Sequence, residues 1–253
     1  MLGAMIGDIV GSVYEWHNIK TTDFPLFSKR CFFTDDTVLT AATAYALIKK
    51  LDYVVVYQDF ARRYPGRGYG GNFSKWIWAE NPQPYNSWGN GSAMRVSPVG
   101  FAFDRVEDVL AEAKRSAEVT HNHPEGIKGA QSTALAIIMG RQGASKVEIR
   151  EEISERFGYN LDRSLDDIRP GYTFDVSCQG SVPEAIIAFL ESSDYEDAVR
   201  KAISLGGDSD TIACIAGGIA EAFYGGVPQD IVDQGKSYLP EEYIKIIEDF
   251  RDL

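Results

Sequence analysis

The sequence is poor in cysteine and in basic residues. Its 253 residues include three cysteines, Cys31, Cys178 and Cys214, which are far apart and form no CxxC pair. An odd number of scattered cysteines argues against a disulfide framework and favours a reducing compartment. Lys and Arg number 25 against 37 Asp and Glu, so the net charge is −12. We therefore expect no nucleic-acid partner, because phosphate backbones are bound by clustered basic residues.

Long apolar runs are also absent. The N-terminal stretch MLGAMIGDIVGSVYEW lacks a basic segment and carries Asp8 and Glu15 within its apolar run. Neither a signal peptide nor a membrane span is predicted from it. The length is enough for a large core in one domain. We expect a single domain over residues 1–253, cytoplasmic and monomeric, with no membrane partner.

Helical periodicity dominates the rest of the chain and predicts an all-α fold. The predicted helices cover 2–14, 35–50, 105–118, 126–141, 146–157, 183–191, 195–205, 210–224 and 240–252. The segment YVVVYQDFARRY is interpreted as a helix, although its β-branched run also fits a strand. The best strand candidate is GYTFDVSC at 171–178. The aromatic, glycine-rich stretch from Pro65 to Pro98 is interpreted as a long functional loop.

Small residues and acids mark the helix starts. Gly3, Gly7 and Gly11 share one helical face, which predicts very close backbone packing. Two later helices begin with TDDT (34–37) and DSDT (208–211). An N-cap uses one side chain, yet each motif supplies two acids without a neighbouring Lys or Arg. If the two starts meet, they need cations, and all-oxygen ligands suit Mg²⁺ or Mn²⁺.

Two further segments have the composition of ligand-binding loops. In WGNGSAMRVSP (88–98), the glycines let backbone amides approach a ligand and Arg95 is a candidate phosphate contact; a tight turn is the alternative. In THNHPEG (120–126), His121 and His123 leave a zinc site open, although other soft ligands are missing. A polar loop before a helix, with His121 at an anion, is favoured. Glu15 by itself is interpreted as a surface residue.

The motifs taken together resemble the ADP-ribosylglycohydrolase family. They run in the order GAMIGDIVGSVYE, FTDDT, GNGSAMRVSPVG, THNHPEGIKGA, SVPEAIIAF and GGDSDTIACIAGGIAEAFYG, from Gly3 to Gly226. The resemblance implies a compact all-α fold of that type with two Mg²⁺ (or Mn²⁺) ions in a cleft. It also implies a hydrolase of the glycosidic bond at C1″ of ADP-ribose, attached to a protein side chain or a small acceptor.

The resemblance also implies roles for individual residues. The implied metal ligands are Thr34, Asp35, Asp36, Asp208, Asp210 and Thr211. The implied ADP-ribose contacts are Trp88, Gly89, Asn90, Gly91, Ser92, Met94 and His121. The catalytic candidates are Glu15, Asp36 and Asp210. The acceptor stays open among arginine, serine, poly(ADP-ribose) and O-acetyl-ADP-ribose, with YEWHN (14–18) resembling the branch that acts on O-linked ADP-ribose.

Two other functions remain alternatives. One is a non-catalytic, crystallin-like or ADP-ribose-binding member of the same fold, in which the acids serve as helix caps. The other is a metal-dependent phosphoesterase that cleaves the diphosphate of ADP-ribose. The complete set of acids expected for metal binding favours the hydrolase.

Overall fold

Helices dominate the structure, a computed structural model that describes all residues, 1–253. It contains no β-strand, so the all-α prediction is confirmed. In chain order the helices are α1 (Leu2–Gly11), α2 (Asp35–Lys49), α3 (Tyr53–Arg63), α4 (Gly71–Trp76), α5 (Gly91–Met94), α6 (Ser97–Ala102), α7 (Val106–Glu118), α8 (Pro124–Arg141), α9 (Lys146–Phe157), α10 (Leu165–Ile168), α11 (Cys178–Leu190), α12 (Tyr195–Ile203), α13 (Ser209–Phe223), α14 (Gln229–Lys236) and α15 (Glu241–Arg251).

The long predicted helices are all present, with boundary differences that have local causes. Helix α1 ends at Gly11 rather than at residue 14. Helix α11 begins at Cys178, five residues before its predicted start, because Ser177 caps it by accepting a hydrogen bond from the Gly180 amide at 3.0 Å. Pro183 therefore lies inside the helix and not in its first turn. The ambiguous segment YVVVYQDFARRY contains α3 and is helical.

The strand prediction for 171–178 is wrong. This segment makes one isolated bridge, between Gly89 and Ser177, in which the Asn90 amide donates to Val176 O at 2.7 Å. Pairing stops there because the opposite chain turns into α5 at Gly91, and a strand needs a continuing partner. The stretch 65–98 is not one continuous loop as predicted, since it holds α4, α5 and the start of α6. Helices α10 and α14 were not predicted.

Helix α1 is buried along its whole length and packs against α13. A Cβ atom on Gly3 would lie 2.7 Å from Gly217 O, and one on Gly7 would lie 2.1 Å from Ala213 O. A Cβ on Gly11 would lie 2.5 Å from the Cα of Asp210. These distances are too short for any side chain, so the two helix backbones touch directly. The close packing predicted from the glycine stripe is present.

Other helices surround the pair formed by α1 and α13. Helices α8 and α11 pack on α13 and are themselves mostly buried, while α7, α9, α14 and α15 expose one face. No helix combines the length and the hydrophobicity that crossing a bilayer requires. The N-termini of α2 and α13 thus meet at one end of a buried scaffold.

Candidate active site

The two acidic helix starts converge, although they are far apart in the sequence. Thr211 Oγ1 donates a hydrogen bond to Asp36 Oδ2 at 3.3 Å. Carboxylate oxygens of Asp8, Asp36 and Asp210 all lie within 4.8 Å of one another, and so do those of Glu15, Asp208 and Asp210. The packing of α1 on α13 brings these groups together, since Gly11 contacts the backbone of Asp210.

The acids are held at close quarters without compensating charge. Asp8, Asp36, Asp208 and Asp210 are buried, and none of them forms an ion pair with Lys or Arg. Burial, followed by the charges of Asp210 and Asp8, raises the pKa of Asp36 well above its usual range. Burial and the charge of Asp208 do the same to the pKa of Asp210. Such a cluster is stable as ionised groups only with cations.

Asp8 is a site residue that the sequence analysis missed. Its Oδ1 accepts a hydrogen bond from Thr34 Oγ1 at 2.7 Å, and its Oδ2 accepts from the backbone amides of Thr34 at 3.0 Å and Thr37 at 3.1 Å. Helix α1 therefore caps helix α2 with a side chain. These hydrogen bonds orient Thr34, while burial raises the pKa of Asp8 to about 6. The only signal in the sequence was a charge inside an apolar helix.

Glu15 is not the surface residue that its sequence position indicated. It follows α1, is half-buried and lines the pocket beside Asp208 and Asp210. Burial and the charge of Asp210 raise the pKa of Glu15 to about 7. A carboxyl group that titrates near neutral pH is suited to proton transfer.

A pocket of about 430 Å³ opens over the acids. Eleven of the predicted site residues line it: Glu15, Asp35, Asp36, Gly89, Asn90, Gly91, Met94, His121, Asp208, Asp210 and Thr211. Three do not. Thr34 is buried beneath the acids, Ser92 is buried and donates to Gly126 O at 2.7 Å, and Trp88 is half-exposed outside the lining.

The glycine loop and the second acidic motif are tied together by Asn90. Its Nδ2 donates to Asp208 Oδ2 at 2.7 Å and to Ser181 Oγ at 3.1 Å. Because both hydrogen bonds use the amide nitrogen, the Asn90 oxygen is free of them. The rings of Trp16 and Phe174 stack with centroids 5.2 Å apart, and both line the pocket.

The two histidines have separate places. His121 is buried in the pocket wall, whereas His123 caps α8 by accepting a hydrogen bond from the Glu125 amide at 3.1 Å. Neither belongs to a cluster of three metal-ligating side chains. Arg95, expected at a phosphate, has no accessible surface and donates to Ser116 O at 2.8 Å. Arg95 nevertheless borders the pocket, and its Nε and Nη1 have no hydrogen-bond partner in the protein.

Comparison with known proteins identifies the family. The family model described as ADP-ribosylglycohydrolase matches residues 1–252. The chain belongs to the ADP-ribosylglycohydrolase family. It is 30% identical to ADP-ribosylhydrolase ARH3 of Homo sapiens over 89% of this chain and 84% of that protein. It is 29% identical to ADP-ribosylarginine hydrolase Tri1 of Pseudomonas putida over 92% of this chain and 72% of that protein.

The fold agrees with this assignment. A solved structure described as an ADP-ribosylglycohydrolase-related protein complex aligns with a TM-score of 0.73 and 24% identity, covering 99% of this chain and 96% of that one. The predicted family is confirmed, as is the prediction of an enzyme of the ADP-ribosylglycohydrolase type.

The acids of this ADP-ribosylglycohydrolase-family chain fit a metal centre. The donors are carboxylates and hydroxyls, which suit hard divalent cations. Asp36 Oδ1 is buried and has no hydrogen-bond partner in the protein. A buried carboxylate oxygen without a donor is costly unless a cation completes it.

Proposed function

We propose that this protein is a Mg²⁺- or Mn²⁺-dependent hydrolase that cleaves the glycosidic bond at C1″ of ADP-ribose linked to a protein side chain or a small acceptor. The observation that supports it is the convergence of two acidic helix starts, whose carboxylates form no ion pair with Lys or Arg, in one pocket beside a glycine loop. Two bound divalent ions would offset the electrostatic repulsion between these carboxylates.

The proposed metal ligands are the acids and hydroxyls of the two motifs. They are Thr34, Asp35, Asp36, Asp208, Asp210 and Thr211. Thr34 Oγ1 donates its proton to Asp8 and accepts a hydrogen bond from the Asp36 amide at 3.3 Å, which leaves one oxygen lone pair for a cation. Bound divalent ions would supply Lewis-acid polarisation and orient the ribose hydroxyls and a water molecule.

The glycine loop is the proposed part of the pocket that binds ADP-ribose. Gly89 and Gly91 let the diphosphate of ADP-ribose approach the backbone. The amide oxygen of Asn90 is an acceptor and suits a ribose hydroxyl rather than the diphosphate. Met94 and His121 complete this wall. Trp88 and Ser92 support the loop rather than line the pocket, so their contribution to binding is proposed to be indirect.

Glu15 is the proposed proton carrier. Burial raises the pKa of Glu15, and a carboxyl group at the pocket surface can accept a proton from water and return one to the leaving acceptor. Asp36 and Asp210 lie deeper, and their proposed role is to hold cations. The proposed reaction passes through an oxocarbenium-like transition state.

The acceptor is proposed to lie toward the aromatic rim. Trp16 and Phe174 border the pocket at this side, and Trp16 is 74% exposed. The relatives include an enzyme named for ADP-ribosylarginine, so the assay must compare N-linked with O-linked substrates.

The test is release of ADP-ribose from a panel of serine-linked, arginine-linked, polymeric and O-acetyl substrates with Mg²⁺. We expect metal-dependent release of free ADP-ribose that chelator stops. Asp36→Asn should reduce turnover to background, whereas Asp23→Asn, which changes an exposed acid, should not. Full activity of Asp36→Asn in chelator would refute the metal mechanism.

The same assay separates the alternatives. Release of AMP would identify a phosphoesterase. Metal-dependent binding of ADP-ribose with no product from any substrate would identify a non-catalytic member of the family.

A further inference from the structure

The His121 imidazole has one nitrogen in the protein interior and one at the ligand loop. The residue is 5% exposed. Its Nδ1 lies 2.7 Å from Thr120 Oγ1, and its Nε2 lies 3.2 Å from the position that a Cβ on Gly91 would occupy. Which nitrogen carries the proton therefore decides whether the glycine loop faces a donor or an acceptor.

The hydroxyl of Thr120 determines that choice. Thr120 is fully buried, and Arg95 Nη2 donates to its oxygen at 2.9 Å. A guanidinium can only donate, so the Thr120 proton must find another acceptor. The only other polar atom within hydrogen-bond distance of this hydroxyl is His121 Nδ1. A proton on Nδ1 would leave the Thr120 hydroxyl buried without an acceptor, which is unfavourable.

The hydrogen bonds from Arg95 to Thr120 and from Thr120 to His121 form a relay. Arg95 is fixed in the orientation that this relay needs. It has no accessible surface and no carboxylate partner, and its guanidinium lies 4.4 Å from the centroid of the Tyr57 ring. Its Nη2 also donates to Ser116 O at 2.8 Å. Burial, together with the nearby Arg95 charge, lowers the pKa of His121 well below its usual range, so the ring is neutral.

We propose that Arg95 and Thr120 are positioning residues that hold His121 as the Nε2–H tautomer, making it a neutral N–H donor to an anionic group bound at the Gly89–Gly91 loop. The identity of that group as the diphosphate of ADP-ribose rests on the proposed function, whereas the tautomer does not. Arg95 thus acts on His121 through two hydrogen bonds, from Arg95 Nη2 to Thr120 Oγ1 and from Thr120 Oγ1 to His121 Nδ1.

The first test is the nitrogen NMR spectrum of the imidazole rings in protein labelled with ¹⁵N-histidine. The chain has three histidines, so His121→Gln assigns the signal. We expect the wild-type ring to be protonated at Nε2 and unprotonated at Nδ1 at neutral pH. A proton on Nδ1 would overturn the proposal without any variant or substrate.

The second test is the affinity for ADP-ribose of Thr120→Val and Thr120→Ser. Valine keeps the shape but removes the hydroxyl, so we expect mixed tautomers and about tenfold weaker binding, the scale of one lost directed hydrogen bond. Serine should restore both. Thr133→Val is the matched control, because Thr133 is also buried but its hydroxyl has no partner.

The outcomes distinguish this proposal from the hydrolase proposal. Wild-type tautomer and affinity in Thr120→Val would refute the relay and leave the hydrolase standing. An Nε2–H ring in a protein that binds ADP-ribose but releases no product would support the relay and refute the hydrolase. Absence of ADP-ribose binding by the wild type would refute the assignment of His121 to that ligand.

Discussion

A single methyl group at Gly11 should disable the proposed metal site without removing any of its proposed ligands. A Cβ at this position would lie 2.5 Å from Asp210 Cα, 2.7 Å from Ser209 O and 2.8 Å from Asp210 N, all of them backbone atoms of the second acidic motif. Ordinary contact begins at 3.4 Å, so Gly11→Ala must push the motif away by about 0.9 Å. Metal–ligand distances tolerate deviations of only about 0.2 Å.

The expected loss is large for metal binding and modest for folding. Misplacement of ligands by about 1 Å should weaken Mg²⁺ or Mn²⁺ binding and turnover by a factor on the order of 100. Overpacking costs about 1–3 kcal/mol, partly offset by up to about 1 kcal/mol from the better helix propensity of alanine. Calorimetric titration with Mn²⁺ and urea unfolding of the metal-free protein measure the two effects separately.

Gly3→Ala is the matched control. It adds the same methyl group to the same helix, 2.7 Å from Gly217 O on the same partner helix. Gly217 lies seven residues from Asp210, about 10 Å along α13. We expect similar destabilisation with nearly wild-type metal affinity. Equal loss of affinity in both variants, or wild-type affinity in Gly11→Ala, would show that the glycine contact does not set the position of the acids.

Two further predictions concern protons. Glu15→Gln should lower turnover and change the shape of the pH–rate profile, because the proposed proton carrier is gone; a pH–rate profile unchanged in shape would exclude Glu15 as proton carrier. Without metal, the free energy of unfolding should fall as pH rises from about 4 to 6. The pKa values of Asp8 and Asp208 are about 6 in the folded protein against 3.8 in the unfolded chain. Over this range the folded protein therefore holds protons that the unfolded chain releases. Urea titrations in chelator should show this slope and Mg²⁺ should reduce it; metal-free stability that increases over this range would contradict the repulsion model.

Local sequence patterns were enough to predict most of the long helices and the chemistry of the acids. Helical periodicity and caps are local, so α2, α9 and α13 could be placed within a residue or two. Two acids at each helix start exceed what capping uses, and that excess was visible without a structure. The glycine stripe likewise predicted a backbone contact, because spacing alone puts three glycines on one face.

Which side chains come into contact depends on the tertiary structure. Asp36 and Thr211 are hydrogen-bonded across 175 positions, and no local pattern measures that distance. Arg95 stands next to a ligand loop in sequence but is buried under it, where its partner is Thr120. In the sequence, Asp8 is an isolated charge in an apolar helix. Its hydrogen-bond partners at the N-terminus of α2 are seen only in the structure. Local propensities come from neighbours in the chain, whereas burial and long-range partners exist only after the helices have packed.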